Sequence, residues 1–165
     1  MILQVLQYPD PLLARRAEPV LEITPAVRAL AEDMTETMYA CDGVGLAAPQ
    51  VGQPLRLVVM DLSGPEKRSD RRILVNPTLI LSGEEVDAEE GCLSVADYTA
   101  KVRRREFARV EATDLEGRPL AFDAKDRMAV CLQHECDHLD GILFVDRLSR
   151  LRRSMLARRL KKRKT

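Results

Sequence analysis

The sequence is poor in the residues that mark chains without a packed fold. Only 8 glycines and 9 prolines among 165 residues exclude collagen-like and low-complexity states. Long apolar runs are missing too. Leu57 to Met60 is one of the longest uninterrupted stretches, whereas crossing a bilayer takes about 20 residues. The opening segment, Met1 to Pro9, carries no basic side chain and is interrupted by Gln4, Gln7 and Pro9, so no secretory signal is expected there. No internal repeat and no Gly/Ser linker divides the chain, so one domain is expected. What is present suits a packed fold: 45% hydrophobic residues to form a core and 32% charged residues to cover it. The expectation is a soluble, cytoplasmic protein. In that setting Cys41, Cys92, Cys131 and Cys136 are read as metal ligands, catalysts or packing residues rather than as two disulfides.

Acidic residues are absent from positions 147–165, which hold ten of the 26 basic residues. The remaining 146 residues carry sixteen basic against 26 acidic side chains, a body near −10 with a cationic tail. Asp10-Pro11 and Thr24-Pro25 both read as helix starts. A short helix is predicted over Leu12–Ala17. A longer one, with Val27, Leu30, Ala31, Met34 and Met38 at helical spacing, is predicted to run to Ala40. Strands are predicted over Leu55–Asp61, Ile73–Val75, Thr78–Leu81, Phe107–Thr113 and Pro119–Phe122, with a polar loop over Ser63–Arg71. Helices are predicted over Asp126–Leu139 and the last twenty residues. Strands lying between helical segments, without βαβ alternation, indicate an α+β fold with antiparallel or mixed sheets around the Asp126–Leu139 helix and a C-terminal helix.

The only two histidines, His134 and His138, stand four apart on that helix with Glu135 between them. Positions i and i+4 share a face, so both imidazoles can reach one divalent ion, while Glu135 is placed to hold a water and take its proton. A catalytic ion usually has a third protein ligand and one open position. The longer protease pattern H-E-x-x-H-x-x-G-x-x-H is matched at Gly141, but Phe144 stands where its last histidine would be. Beyond His138 there is no His, Cys or Glu, and Asp140 and Asp146 are the only carboxylates. The third ligand is therefore expected upstream. Cys136 points away from His134, and Cys131 suits the core, which leaves Cys41 and Cys92. Gly91 beside Cys92 would let backbone approach a ligand closely.

Gly43-Val44-Gly45-Leu46-Ala47-Ala48-Pro49-Gln50, Glu90-Gly91-Cys92-Leu93-Ser94 and Gln133 to Gly141 together resemble, in order and spacing, the three motifs of the peptide deformylase family. The resemblance runs from Pro9-Asp10 to about Leu148. It implies a metal-dependent hydrolase that removes formyl from N-formylmethionyl nascent peptides, with Cys92, His134 and His138 as ligands and Glu135 as base. Gln50 and the Leu93 backbone N–H would face the attacked oxygen. Val44, Gly45, Glu90 and Gly91 would flank the substrate backbone, and Val44, Val130, Cys131 and His134 would line the methionine pocket. The family points to Fe(II), with Zn, Ni or Co able to replace it. Arg127 and Ala96-Asp97 depart from the family pattern at the pocket rim and bear on preference beyond methionine.

Two rival readings are a metal endopeptidase and a ribosome- or RNA-binding protein with a structural zinc site. The missing downstream ligand counts against the first, and Glu135 and Gln50 have no use in the second. The resemblance also suggests that the basic helix docks on the ribosome near the polypeptide exit. This divides the chain into a catalytic body, 1–148, and a tail, 149–165. Leu148, Leu151, Met155 and Leu160 are expected to form the tail's apolar line, and removal of 152–165 is expected to spare turnover.

Overall fold

A computed structural model describes residues 1–164; Thr165, the last residue of the predicted tail, lies outside the described residues. Four helices, α1 (Pro25–Ala40), α2 (Gly64–Lys67), α3 (Asp126–Leu139) and α4 (Arg150–Lys164), accompany five strands. These are β1 (Gly45–Ala47), β2 (Leu57–Met60), β3 (Arg72–Cys92), β4 (Val95–Thr113) and β5 (Pro119–Lys125). They form one antiparallel sheet in the order β1-β2-β3-β4-β5. The α+β class holds, and every strand pairing within the sheet is antiparallel.

Local chemistry explains most boundaries. Thr24 caps α1, its hydroxyl accepting from Val27 N–H at 3.2 Å, and Pro25 opens the first turn. Asp10 caps only a 3-10 turn, Pro11–Ala14, where a longer helix was predicted. The predicted loop at 63–71 contains α2. After α3 the chain turns through Gly141, whose φ is +75° and whose ideal Cβ would lie 2.5 Å from the Ala14 carbonyl oxygen. Only glycine fits there.

The largest departure is the β3–β4 hairpin. Three short strands were predicted where two strands of 21 and 19 residues run side by side. Their outer halves are hidden in the sequence because the inward face mixes Val102 and Ala100 with the buried charges Glu90 and Arg104, while the other face is charged. The pairing itself is orderly: Glu85 opposes Arg105, Asp87 opposes Arg103 and Glu89 opposes Lys101. Opposite charges facing across strands stabilise a ladder that has little apolar surface to bury. Register shifts fall between Val75 and Thr78, around Pro77, and between Ser82 and Glu85, beside Gly83.

The core consists of three aliphatic clusters. The first packs α3 through Ala129, Leu132 and Leu139 against Val58, Met60, Leu74, Ala108 and Val110. The second packs α1 through Ala31, Met34 and Met38 against Leu46, Leu57 and Val59. The third joins Leu13, Val95, Val102, Phe144, Val145 and Leu148 to Leu156 of α4, with Cys92, Tyr98 and Leu160 partly buried beside them. This corrects the expected tail line. Leu151 and Met155 are 71% and 59% exposed, while Leu156 is 2% exposed. Leu148 lies in extended backbone before the helix starts, so its phase does not carry into α4. Removing 152–165 would therefore open a cluster that reaches Cys92.

Candidate metal centre

Three chain segments meet at the site. Cys92 ends β3 and pairs with Val95, so Leu93 and Ser94 form a two-residue hairpin turn. His134, Glu135 and His138 lie on α3. Gln50 lies in the 3-10 turn Ala48–Val51 that follows β1. The Cys92 sulfur is 3.4 Å from His138 Nε2, which is 3.3 Å from His134 Nε2. All three donor atoms lie within 4.8 Å of one another, and the two histidines are 8% and 1% exposed. One cysteine sulfur and two imidazole nitrogens this close together form a donor set suited to a divalent transition metal. Cys41 is exposed at the C-cap of α1 and Cys136 faces another cavity, so neither joins this group.

The imidazoles are held by partners behind them. His134 Nδ1 faces Glu90 Oε1 at 2.8 Å, which fixes the ring so that Nε2 points to Cys92 and His138. Burial pushes the His134 pKa down, but hydrogen bonds to Cys92 and Glu90 outweigh this and raise it to about 10. Metal uptake must displace that proton. Burial, reinforced by the positive charge of His134, lowers His138 well below the usual histidine range, which leaves it a neutral ligand. Its Nδ1 is buried without a hydrogen-bond partner.

Glu135 is 3% exposed, with Oε1 3.8 Å from His134 Nε2 and Oε2 buried without a partner. Burial is the main cause of its pKa rising to about 7. A carboxylate poised there can take and return a proton near neutral pH. Gln50 is fixed by the Ala47 N–H, which donates to its Oε1 at 2.9 Å. Its amide nitrogen is thereby turned towards Cys92 Sγ at 3.5 Å and Ser94 Oγ at 3.1 Å.

A cavity of about 440 Å³ opens over these groups. Val44, Gly45, Gln50, Glu90, Gly91, Cys92, Leu93, Val130, Cys131, His134 and Glu135 all line it, so the structure gathers every candidate residue except His138, which lies beneath as a buried donor. Arg127 and Asp97 line it as well. Two strand edges flank the opening. Asp61 N–H donates to the Val44 carbonyl at 2.8 Å, so by antiparallel alternation the Gly45 amide and carbonyl turn away from β2 towards the cleft. The outer half of β3 pairs only with β4 and leaves its other edge open beside Glu90 and Gly91. Gly45 must stay small, because a Cβ would fall 2.9 Å from Glu135 Oε1.

The sequence reading missed Arg104, Asp137 and Arg147, which lie behind the site. Arg104 grips Glu90 with two hydrogen bonds, at 2.6 and 2.8 Å, and Asp137 with a third at 2.7 Å. No spacing signal could reveal them, since the contacts cross β3, β4 and α3.

The polypeptide deformylase family profile matches residues 2–154. A peptide deformylase of Afipia carboxidovorans is 47% identical over 162 residues, covering 98% of this chain and 95% of its own. That of Alkalilimnicola ehrlichii is 48% identical over 161 residues, covering 98% and 90%. Among solved structures, a peptide deformylase from Legionella pneumophila superposes with a TM-score of 0.94 at 43% identity, covering 99% of this chain and 96% of that one. One from Synechococcus elongatus, solved with actinonin, gives 0.89 at 38% identity, covering 98% and 87%. Sequence and backbone agree over nearly the full length of both partners, and the chain belongs to the polypeptide deformylase family.

Proposed function

We propose that in this metal-dependent hydrolase, which removes the formyl group from the N-termini of new polypeptides, Cys92, His134 and His138 hold the ion and Glu135 moves the proton. The convergence of their three donor atoms within 4.8 Å carries this reading. When bound, the ion supplies a Lewis acid that acidifies water and polarises the formyl carbonyl. Glu135 takes the proton of the attacking water and later delivers it to the amine nitrogen as the C–N bond breaks. Water's oxygen ends in formate, and the peptide leaves with a free amine. The Gln50 amide and the Leu93 N–H donate to the carbonyl oxygen as it gains charge. The Gly45 edge and the Glu90–Gly91 edge pair with substrate main chain, which tolerates many sequences. Val44, Val130 and Cys131 form the apolar wall for methionine.

A thiolate with two imidazoles suits Fe(II), and zinc, nickel or cobalt can take its place. The test is turnover of formyl-Met-Ala by anaerobically prepared protein of measured metal content. Deformylation by the iron form, lost faster in air than that of the nickel form, is expected, together with a fall on the order of 10²–10³ in kcat for Gln50→Ala. Cleavage of an internal peptide bond instead would return the endopeptidase reading.

Residues 1–148 then form the catalytic body, and the basic tail from 149 onward serves a partner. Arg152, Arg153, Arg158 and Arg159 are all exposed on α4. No helix among the described residues is long and apolar enough to cross a membrane. We infer that this face docks on ribosomal RNA near the polypeptide exit, where formylated chains emerge. Changing these four arginines to glutamine keeps Leu156 in place. It should leave turnover of a short formyl-methionyl peptide unchanged and weaken co-sedimentation with ribosomes. The wild-type association should fall steeply with log salt, as phosphate contacts dictate. Equal, salt-insensitive association of both proteins would refute the docking role.

A further inference from the structure

Behind the candidate metal centre, charged side chains alternate in sign from the surface to a ligand. Arg147 donates from Nε and Nη2 to both Asp137 oxygens, at 2.7 and 2.8 Å. Asp137 Oδ2 also accepts from Arg104 Nη1 at 2.7 Å. Arg104 grips Glu90 through Nε and Nη2, and Glu90 Oε1 faces His134 Nδ1 at 2.8 Å. Exposure falls inward along the chain: the side chains of Arg147, Asp137 and Arg104 are 42%, 13% and 2% exposed, and that of Glu90 is 4% exposed. We propose that Arg147 is a positioning residue for the metal centre, acting through Asp137, Arg104 and Glu90 on the orientation of His134.

Charge and geometry carry the proposal, which rests on His134 being a metal ligand. Arg104 is buried between two carboxylates, so the inner three groups carry a net negative charge. Arg147 restores neutrality and, with its planar two-point grip, fixes where the Asp137 carboxylate points. Without it Asp137 keeps an uncompensated charge close to Arg104 and competes with Glu90 for the same guanidinium. Glu90 then loses the clamp that aims Oε1 at His134. The position of Arg147 is itself firm. It ends the 3-10 turn Phe144–Arg147, whose Phe144 and Val145 are buried in the third cluster. Arg147 does not line the substrate cavity, so its influence should reach the ion and the turnover step but not peptide binding.

The experiment uses the cobalt-loaded full-length protein. Its visible ligand-field spectrum and the rate of metal loss to a chelator are followed alongside kinetics with formyl-Met-Ala. Removing a direct outer partner of a metal-bound histidine costs roughly 10–100-fold in affinity or activity, and Glu90→Gln should fall in that range. Arg147→Met, acting three groups farther out, should speed metal loss by about 3- to 10-fold and lower kcat with KM unchanged. Arg147→Lys, which keeps the charge but not the fork, should fall between. In the Glu90→Gln background Arg147→Met should add almost nothing. Thermal melts report any general loosening, and the lysine variant serves if the methionine variant fails to fold. Metal loss unchanged in Arg147→Met and Arg147→Lys, or accelerated equally with and without Glu90, would overturn the proposal. A Glu90→Gln protein with unaltered spectrum and metal loss would instead overturn the ligand role of His134 and remove the basis of the inference with it.

Discussion

Glu135→Ala should bind its ion as well as the parent protein and lose deformylation by roughly 10²–10⁴-fold, the range that a positioned acid–base group supplies. A thousandfold loss corresponds to about 4 kcal/mol of transition-state stabilisation. The separation of binding from turnover follows from where the carboxylate sits. Its Oε1 lies 3.8 Å from His134 Nε2 and its Oε2 has no protein partner, so it borders the donor cluster without belonging to it. The pH profile should change with it. Burial holds Glu135 near 7, and the carboxylate must be ionised to accept a proton, so parent activity should rise with pH through the acid limb. A bound cation favours the ionised form and shifts that limb to lower pH. The residual activity of Glu135→Ala should lack this limb. Full metal content with near-normal turnover would sink the proposed role.

Cys92→Ala should behave in the opposite order, losing the ion first and activity with it. The sulfur is one of three donors, 3.4 Å from His138 Nε2, and its removal leaves two neutral-capable imidazoles without the anionic ligand. The expected loss of affinity exceeds the roughly 100-fold that marks the upper end for outer-shell partners. Cys41→Ala is the control, since Cys41 is exposed and outside the donor cluster. Metal analysis after gel filtration decides the matter. Normal metal content in Cys92→Ala, with loss in Cys41→Ala, would show that the third ligand is misassigned.

These expectations drew unequally on sequence and structure. His134, Glu135 and His138 were legible because helical periodicity turns a spacing of four into a shared face. Cys92 was not legible by spacing, because it reaches α3 from a hairpin turn more than forty residues earlier. The three motifs together singled it out. The outer β3–β4 hairpin escaped because its buried face carries Glu90 and Arg104 among Ala100 and Val102, which blurs the apolar alternation that reveals a half-buried strand. Its charges pair across strands, and that relation is invisible along the chain. The tail line failed for another reason. A basic helix with four scattered large apolar residues admits more than one apolar stripe, and only docking against Val95, Phe144 and Leu148 selects Leu156. The supports behind His134 were hidden because Arg104 and Arg147 look like ordinary surface charges until folding buries one and pairs both.

The open edges beside the cleft carry a hazard of their own. A strand edge that accepts any extended peptide can equally accept the edge of a neighbouring molecule, which is how sheets aggregate. Here the invitation is narrow. β1 offers only three residues, and a register shift breaks β3 between Ser82 and Glu85. Beyond that shift Glu85, Asp87 and Glu89 are exposed and face Arg105, Arg103 and Lys101 of β4, so charged side chains line the run. On the proposed reading a single thin chain enters beside Gly45 and Gly91, while short, interrupted and charged edges disfavour a second sheet. The proposed tolerance for peptide sequence would then share its edge with a device against self-association.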